Sequence, residues 1–238
     1  MALPSNCLNL LYPRTCPACA RYIGGRANRL CDRCMRRLPR TEQAHLRQNL
    51  TEMTLIGPVS DIVAGAKVMH LEKAAAFLFY DKDHPIQRVI HKMKYADQPM
   101  IGYELGRQAA IEFQYADFFD EIDVIIPIPL HPKRLNERGY NQSEYIAKGI
   151  SDVTGIPIDL THVTRTRNTP KQALQRGEER RENMVEAFAV NHPEQLYHKH
   201  ILVVDDLITT GETMRSCLKA MKIIRGAKFS VFALCKAR

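Results

Sequence analysis

No run of apolar residues in this chain approaches the roughly 20 needed to cross a bilayer, so a membrane-spanning helix is not expected. The opening residues, MALPSNCLNLLYPRTC, also lack the charged segment that begins a secretory leader. Together these absences lead us to expect a cytoplasmic protein. Lysine is missing from residues 1–50, and acid is scarce there: nine Arg stand against only Asp32 and Glu42, a net of +7 within a chain whose formal net charge is +8. No thioredoxin-like βαβ pattern surrounds the paired cysteines of this region, which disfavours a redox role for them.

The 238 residues suit one medium domain with a small appendage, and a hydrophobic fraction of 45% supports a proper core. Seven cysteines in a reducing compartment point to metal or free thiols and away from disulfides. Cys16-Pro-Ala-Cys19 and Cys31-Asp-Arg-Cys34 are two CxxC pairs with Gly24 and Gly25 between them. Each pair can curl into a knuckle that aims two sulfurs at one ion, and two knuckles complete a tetrahedral Cys₄ zinc site. Cys7 falls outside the spacing, and Cys217 and Cys235 sit in apolar patterns that read as core. The arginine excess fits an anionic partner, with single-stranded DNA as the leading choice; a solvated basic face that offsets thiolate charge is the alternative.

Patterning fades from about Leu38 and ends in Gly57-Pro58. We therefore divide the chain into an N-terminal zinc module and linker, residues 1–57, and a second domain, residues 58–238. Within that domain, residues 73–80 read as a strand and residues 81–85 as a turn. Ile86, Val89, Ile90 and Met93 recur at helical spacing, as do the apolar residues from Gly102 to Phe113. His91, Lys92 and Lys94 accompany the first helix. They read as a solvated face, with pyrophosphate or a partner subunit as the other choice. Val124-Ile125-Ile126 is a buried-strand signal, closed by Pro127 and Pro129. A long basic connection follows, carrying Arg134, Arg138 and Gly139, and then a helix with Tyr145, Ile146 and Ile150 inward.

The most informative stretch is His200 to Thr213, HILVVDDLITTGET. Ile201 to Val204 suits a parallel strand buried on both faces, with Asp205 and Asp206 where we expect the strand to end. Thr209, Thr210, Gly211, Glu212 and Thr213 form a turn into a helix that carries Met214, Cys217, Leu218 and Met221 on its inner side. Backbone N–H groups, hydroxyls and a helix N-terminus make a cradle for a phosphate monoester. Two carboxylates repel that phosphate but accept hydrogen bonds from vicinal hydroxyls, directly or through water or Mg²⁺. A sugar 5-phosphate satisfies both halves.

Strand, acid pair and small-residue turn together resemble the phosphoribosyl pyrophosphate motif of type I phosphoribosyltransferases. The run PIPLHPKRLNERGYNQSEYIA, the downstream TRTRNTPKQALQRGEERRENMVEAFAV and the double CxxC narrow the resemblance to the ComF family, competence-associated proteins with GntX-type relatives. The resemblance covers essentially the whole chain. It implies an α/β type I phosphoribosyltransferase fold, a parallel sheet flanked by helices, behind a Cys₄ module. It implies phosphoribosyl pyrophosphate with Mg²⁺ as ligand, and Asp205, Asp206 and Arg138 as the residues nearest the chemistry. The turn residues, Arg134, Gly139 and Arg176 would bind the substrate. Residues 164–185 would be the loop that closes over the diphosphate; a solvated helix, with Glu178, Glu179 and Glu182 among its arginines, is the alternative. The expected role lies in DNA uptake, with single-stranded DNA and a competence helicase as partners and room for a homodimer. A non-catalytic accessory protein that binds a nucleotide or phosphoribosyl ligand is the other reading. In 6-oxopurine salvage enzymes of this kind an acid usually stands three residues after the second acid; here it is Thr209, which disfavours purine salvage. Nothing in the sequence resembles an amidotransferase domain, so the chain is not expected to draw ammonia from glutamine by itself.

Overall fold

The computed structural model describes residues 15–24, 29–42, 70–81, 83–166 and 187–238. Cys7, the expected boundary near Gly57-Pro58, and residues 167–186 with Arg176 among them lie outside these segments.

Four strands make the central sheet: β1 (His70–Tyr80), β2 (Val124–Pro127), β5 (His200–Ile208) and β6 (Lys228–Ala237), in the order β1-β6-β5-β2. All three pairings are parallel. The register sets Val124 against Ile201 and Asp205 against Ala233. Parallel strands need coverage on both faces, and β5 shows why its apolar run is continuous. Leu202 and Val204 join the cluster under α2 (Ile86–Tyr95), α3 (Met100–Gln114) and α5 (Gln142–Thr154). Ile201 and Val203 join the opposite cluster, with Met214 and Leu218 of α6 (Glu212–Ala220). The strand does not stop at the acids, as its apolar pattern suggested; it continues to Ile208.

The remaining elements match the expected order with local differences. The connection after β2 is not an open loop: Pro132–Arg138 forms a short helix, α4, whose first N–H groups are met by His131 Nδ1, which accepts from Lys133 N at 3.2 Å. Ile158 makes a single parallel bridge to Ile125. The helix after Gly211 ends at Ala220 and passes into a 3₁₀ turn, Met221–Ile223. Tyr145 is half-buried, whereas Ile146 and Ile150 are fully buried. Helices α3 and α5 approach closely because glycine faces backbone on both sides. A Cβ on Gly149 would stand 2.1 Å from the Tyr103 carbonyl oxygen, and one on Gly106 would stand 2.3 Å from that of Ile146.

The cysteine module is joined to this domain through the free edge of β1. Thr41 N–H donates to Phe77 O at 3.0 Å and Phe79 N–H to Pro39 O at 2.7 Å, forming an antiparallel bridge between Arg40 and Leu78. Arg40 Nε pairs with Glu112 of α3 at 2.6 Å. Ala18, Leu30 and Leu38 enter the same buried cluster as Ile86 and Val89. An exposed strand edge is thereby covered.

Candidate functional site

The acids stand on β5 between two strands that bury them. Asp205 Oδ1 accepts from the Asp206 backbone N–H at 2.8 Å and from Ser143 Oγ, at the start of α5, at 3.2 Å. Asp206 Oδ2 lies 3.0 Å from Lys94 Nζ, and both of these side chains are more than four-fifths buried. Burial, then the neighbouring Asp206 charge, pushes the Asp205 carboxyl up to about 7, although the hydrogen bonds and Lys94 act against the rise. Burial pulls Lys94 down, but Asp206 and Asp205 outweigh it and hold the ammonium above its ordinary value. The thiols that flank the pair stay protonated: burial, then Asp205, drives Cys217 up to about 12, and burial, then Asp206, drives Cys235 still higher.

After β5 the chain turns through exposed Thr209 and Thr210 to Gly211. Gly211 has φ +76° and caps α6, a conformation that disfavours any residue with a Cβ. Arg215 Nη1 donates to Thr210 O at 2.7 Å and ties the turn to the first turn of the helix. Glu212 and Thr213 follow, half-buried, within that helix. The structure thus brings Thr209, Thr210, Gly211 and Thr213 together at the N-terminus of α6.

The basic connection is organised by α4. Arg138 stacks over the Tyr95 ring at 5.1 Å and donates to Gln142 Oε1. Gly139 ends α4 in the left-handed region, with φ +81°. Asn141 Nδ2 donates to Ile128 O at 3.0 Å, fixing the start of α5 beside the end of β2. Arg134, Arg138 and Lys94 line one cavity of about 550 Å³ with Tyr95 and Tyr140. Arg165, expected in the closing loop, belongs instead to β3 (Val163–Arg165), paired antiparallel with β4 (Phe188–Val190) and stacked on Phe188 at 5.2 Å. Burial, then the like charge of Arg134, lowers its guanidinium, with Asp205 acting against them.

Sequence reasoning reads Lys94 as solvated, with pyrophosphate or a partner subunit as the other choice, and passes over Ser143 and Arg215. Lys94 lies four residues after Ile90, on the apolar stripe of α2 and not opposite it, and that spacing was the available signal. Ser143 and Arg215 carried no signal, since each acts through a contact that only the fold creates.

At the other end of α2, the four cysteine sulfurs lie within 4.8 Å of one another, with Cys19 and Cys31 at 3.8 Å. A tetrahedron with Zn–S bonds of about 2.3 Å has S···S edges of about 3.8 Å, so the cluster fits structural zinc. Cys16 and Cys19 sit on a turn closed by Cys16 N–H to Arg21 O at 2.8 Å, and Cys31 and Cys34 open α1 (Asp32–Arg36). Burial raises Cys16, but the N–H groups of Cys31, Cys19 and Ala18 outweigh it and bring this thiol to about 7. Beside the cluster runs a cavity of about 500 Å³, walled by Arg21, Arg33, Arg37 and Arg88 over apolar Leu38 and Val89.

Residues 94–238 match the family model described as "Phosphoribosyl transferase domain", and residues 7–45 the one described as "Double zinc ribbon domain". A DNA utilization protein YhgH of Escherichia coli O157:H7 is 30% identical over 155 residues, 64% of this chain and 67% of that protein. A Competence protein F of Haemophilus influenzae is 30% identical over 158 residues, 64% of this chain and 69% of that protein. Among solved structures, one described as the allosteric regulatory enzyme of purine biosynthesis aligns with a TM-score of 0.42 at 21% identity, covering 60% of this chain and 29% of that one. No helix among the described residues is long and apolar enough to cross a membrane.

Two predictions arise from these geometries. Since the folded pKa of Asp205 is raised, the folded state holds a proton that the unfolded state has released, and stability falls as pH rises from about 4 through about 7. Asp205→Asn should therefore unfold later than the parent at pH 8, by on the order of 1–2 kcal/mol, and the gain should fade towards pH 4 in urea titrations. The purified protein should carry one zinc per chain by metal analysis. Cys19→Ser should release it and lower the thermal midpoint, because the module is packed into the main core.

Proposed function

Because the chain belongs to the phosphoribosyl transferase domain family, as a ComF-type protein with an N-terminal double zinc ribbon, we propose that it binds phosphoribosyl pyrophosphate and transfers the phosphoribosyl group to a nitrogen nucleophile. One observation carries this reading: the acid pair of β5 is followed at once by a left-handed glycine and a helix N-terminus, the two halves of a sugar-phosphate site. Asp205 and Asp206 accept the ribose hydroxyls. The turn from Thr209 to Thr213 takes the 5-phosphate. Arg134, Arg138 and Gly139 meet the diphosphate, and Arg176 would join them from the segment that leaves β3 and returns at β4. Mg²⁺ would be held by the diphosphate oxygens, which suit a hard cation, and would supply positive charge against the departing pyrophosphate. As the bond to that group breaks, positive charge grows on the ribose carbon, and the arginines stabilise the leaving anion.

The names of the relatives, DNA utilization protein YhgH and Competence protein F, support a role for the chain in DNA utilization and competence. A second reading, in which the chain is an accessory that handles single-stranded DNA, is supported by the arginine-walled cavity of the zinc module. Its four arginines are exposed and no acid stands among its lining residues. The spacing of cations over an apolar floor suits a phosphate backbone with bases turned inward. The two readings are compatible, because the cavity lies at the opposite end of α2 from the acids. The division into residues 1–57 and 58–238, a cytoplasmic location, a helicase partner and a homodimer remain part of this proposal.

Calorimetric titration with Mg²⁺ present tests the site. Changing both Asp205 and Asp206 to Asn should weaken phosphoribosyl pyrophosphate by about 1.5–3 kcal/mol for each charged hydrogen bond lost. Thr210→Val should weaken ribose 5-phosphate as well, whereas Arg138→Ala should spare it. Unchanged affinity in the acid variant removes the pocket from the proposal, and pyrophosphate release with candidate bases decides catalysis. For the second reading, changing Arg21, Arg33 and Arg37 to Ala should weaken single-stranded DNA and reduce the slope of log affinity against log salt by about 2. An unaltered slope would place any DNA elsewhere.

A further inference from the structure

Lys94 is the one feature of the site that the motif reading leaves without a task. It stands in the last turn of α2 and reaches across to β5, where Nζ sits 3.0 Å from Asp206 Oδ2. An isolated buried ammonium is costly, and so is an isolated buried carboxylate; the two are tolerated here because each neutralises the other. Such a pair occupies the oxygen that a ribose hydroxyl would need. It also stands at a junction. The same Lys94 side chain lines the cavity walled by Arg134 and Arg138. These three cations come from two separate elements, α2 and α4, and face one space. Asp97 and Glu137 also line it, so the cavity carries a surplus of positive charge. Arg138 is held in place by the Tyr95 ring and by Gln142. Tyr140, which donates to Met93 O at 2.7 Å, fixes the end of α2 next to Lys94. Both neighbours hold the backbone of this turn while leaving the lysine's own four-carbon stem to choose its partner.

We infer that Lys94 is a binding residue for the anionic end of the ligand, stored on Asp206 while the site is empty and passed to a phosphate oxygen when the sugar hydroxyls take Asp206. This rests on the phosphoribosyl reading and deepens it. The exchange conserves charge pairing at every stage: one ammonium–carboxylate contact is replaced by an ammonium–phosphate contact, and the carboxylate receives neutral hydroxyl donors in return. A ligand with hydroxyls but no diphosphate can free Lys94 from Asp206 yet gives it no new partner. Lys94 thus favours ligands that carry both groups, and its removal separates the two classes.

The experiment titrates the full-length parent and the variants Lys94→Met, Lys94→Gln and Lys94→Arg with phosphoribosyl pyrophosphate and with ribose 5-phosphate, at pH 8 with Mg²⁺, after thermal denaturation has shown which variants are folded. The expected result is a loss of about tenfold or more for the diphosphate in the Met and Gln variants, with ribose 5-phosphate unchanged or tighter. The Arg variant should recover most of the diphosphate affinity. Equal weakening of both ligands, or no weakening of either, would make Lys94 a fixed counter-ion and overturn the inference. Failure of every substituted chain to fold would likewise make Lys94 a structural counter-ion of Asp206 and overturn the inference. A parent that binds neither ligand overturns the phosphoribosyl reading itself, and the parent titration alone tells that outcome from the failure of Lys94.

Discussion

Two carboxylates side by side on a strand buried from both faces repel each other, and the fold relieves that repulsion unequally. Asp206 is matched by Lys94. Asp205 is matched by a hydroxyl and a backbone N–H, and its proton is retained up to about pH 7. Each relief comes from a different element: α2 supplies the lysine, α5 the serine, β5 its own amide. The position of both helices against the sheet is thus tied to the acid pair. Packing alone would be served better by two apolar residues in place of the acids, since buried charges gain little net stability. Their presence within an otherwise apolar strand makes them the candidates for a functional site.

The cysteine module depends on the same helix. Its segment from Leu38 to Thr41 closes the free edge of β1, and Ala18, Leu30 and Leu38 rest against the N-terminal half of α2. The C-terminal half of α2 ends at the acids. Ten residues of helix span about 15 Å, so the arginine-walled cavity and the acid pair are set at opposite ends of one rigid rod. Zinc here does what a larger core would do elsewhere: four thiolates gather a short segment that could not bury enough apolar surface alone. The metal fixes the module, and the module fixes one end of the rod.

Much of this was legible before the structure. The β5 run, the acid pair and the turn were read directly, because a buried parallel strand imposes an unbroken apolar pattern and a phosphate cradle demands glycine and small hydroxyls. The stripe of α2 was read through Ile86, Val89, Ile90 and Met93, all of which are buried. The double CxxC was read through spacing alone. What escaped were contacts between residues distant in sequence. Ser143 meets Asp205 across 62 positions and Arg40 meets Glu112 across 72, and neither local propensity nor periodicity encodes such a meeting. Lys94 was misread as solvated because lysine usually is; its place on the stripe mattered more than its type. The family resemblance puts Arg165 in the closing loop by its position in the fold, but β-pairing with Phe188 claims it.

The unequal state of the acids bears on what the empty pocket attracts. Asp206 is already paired with the Lys94 ammonium, and burial beside Asp206 favours the protonated form of Asp205. The pair therefore presents little free negative charge, far less than two bare carboxylates would. A divalent cation alone gains little by entering, since it would have to displace both an ammonium and a proton while losing its own water. A neutral diol faces no such competition in charge: it brings donors, and the carboxylates bring acceptors. The acid pair is in this sense better matched to neutral hydroxyl donors than to a bare cation, with the cations Lys94, Arg134 and Arg138 gathered on a neighbouring cavity.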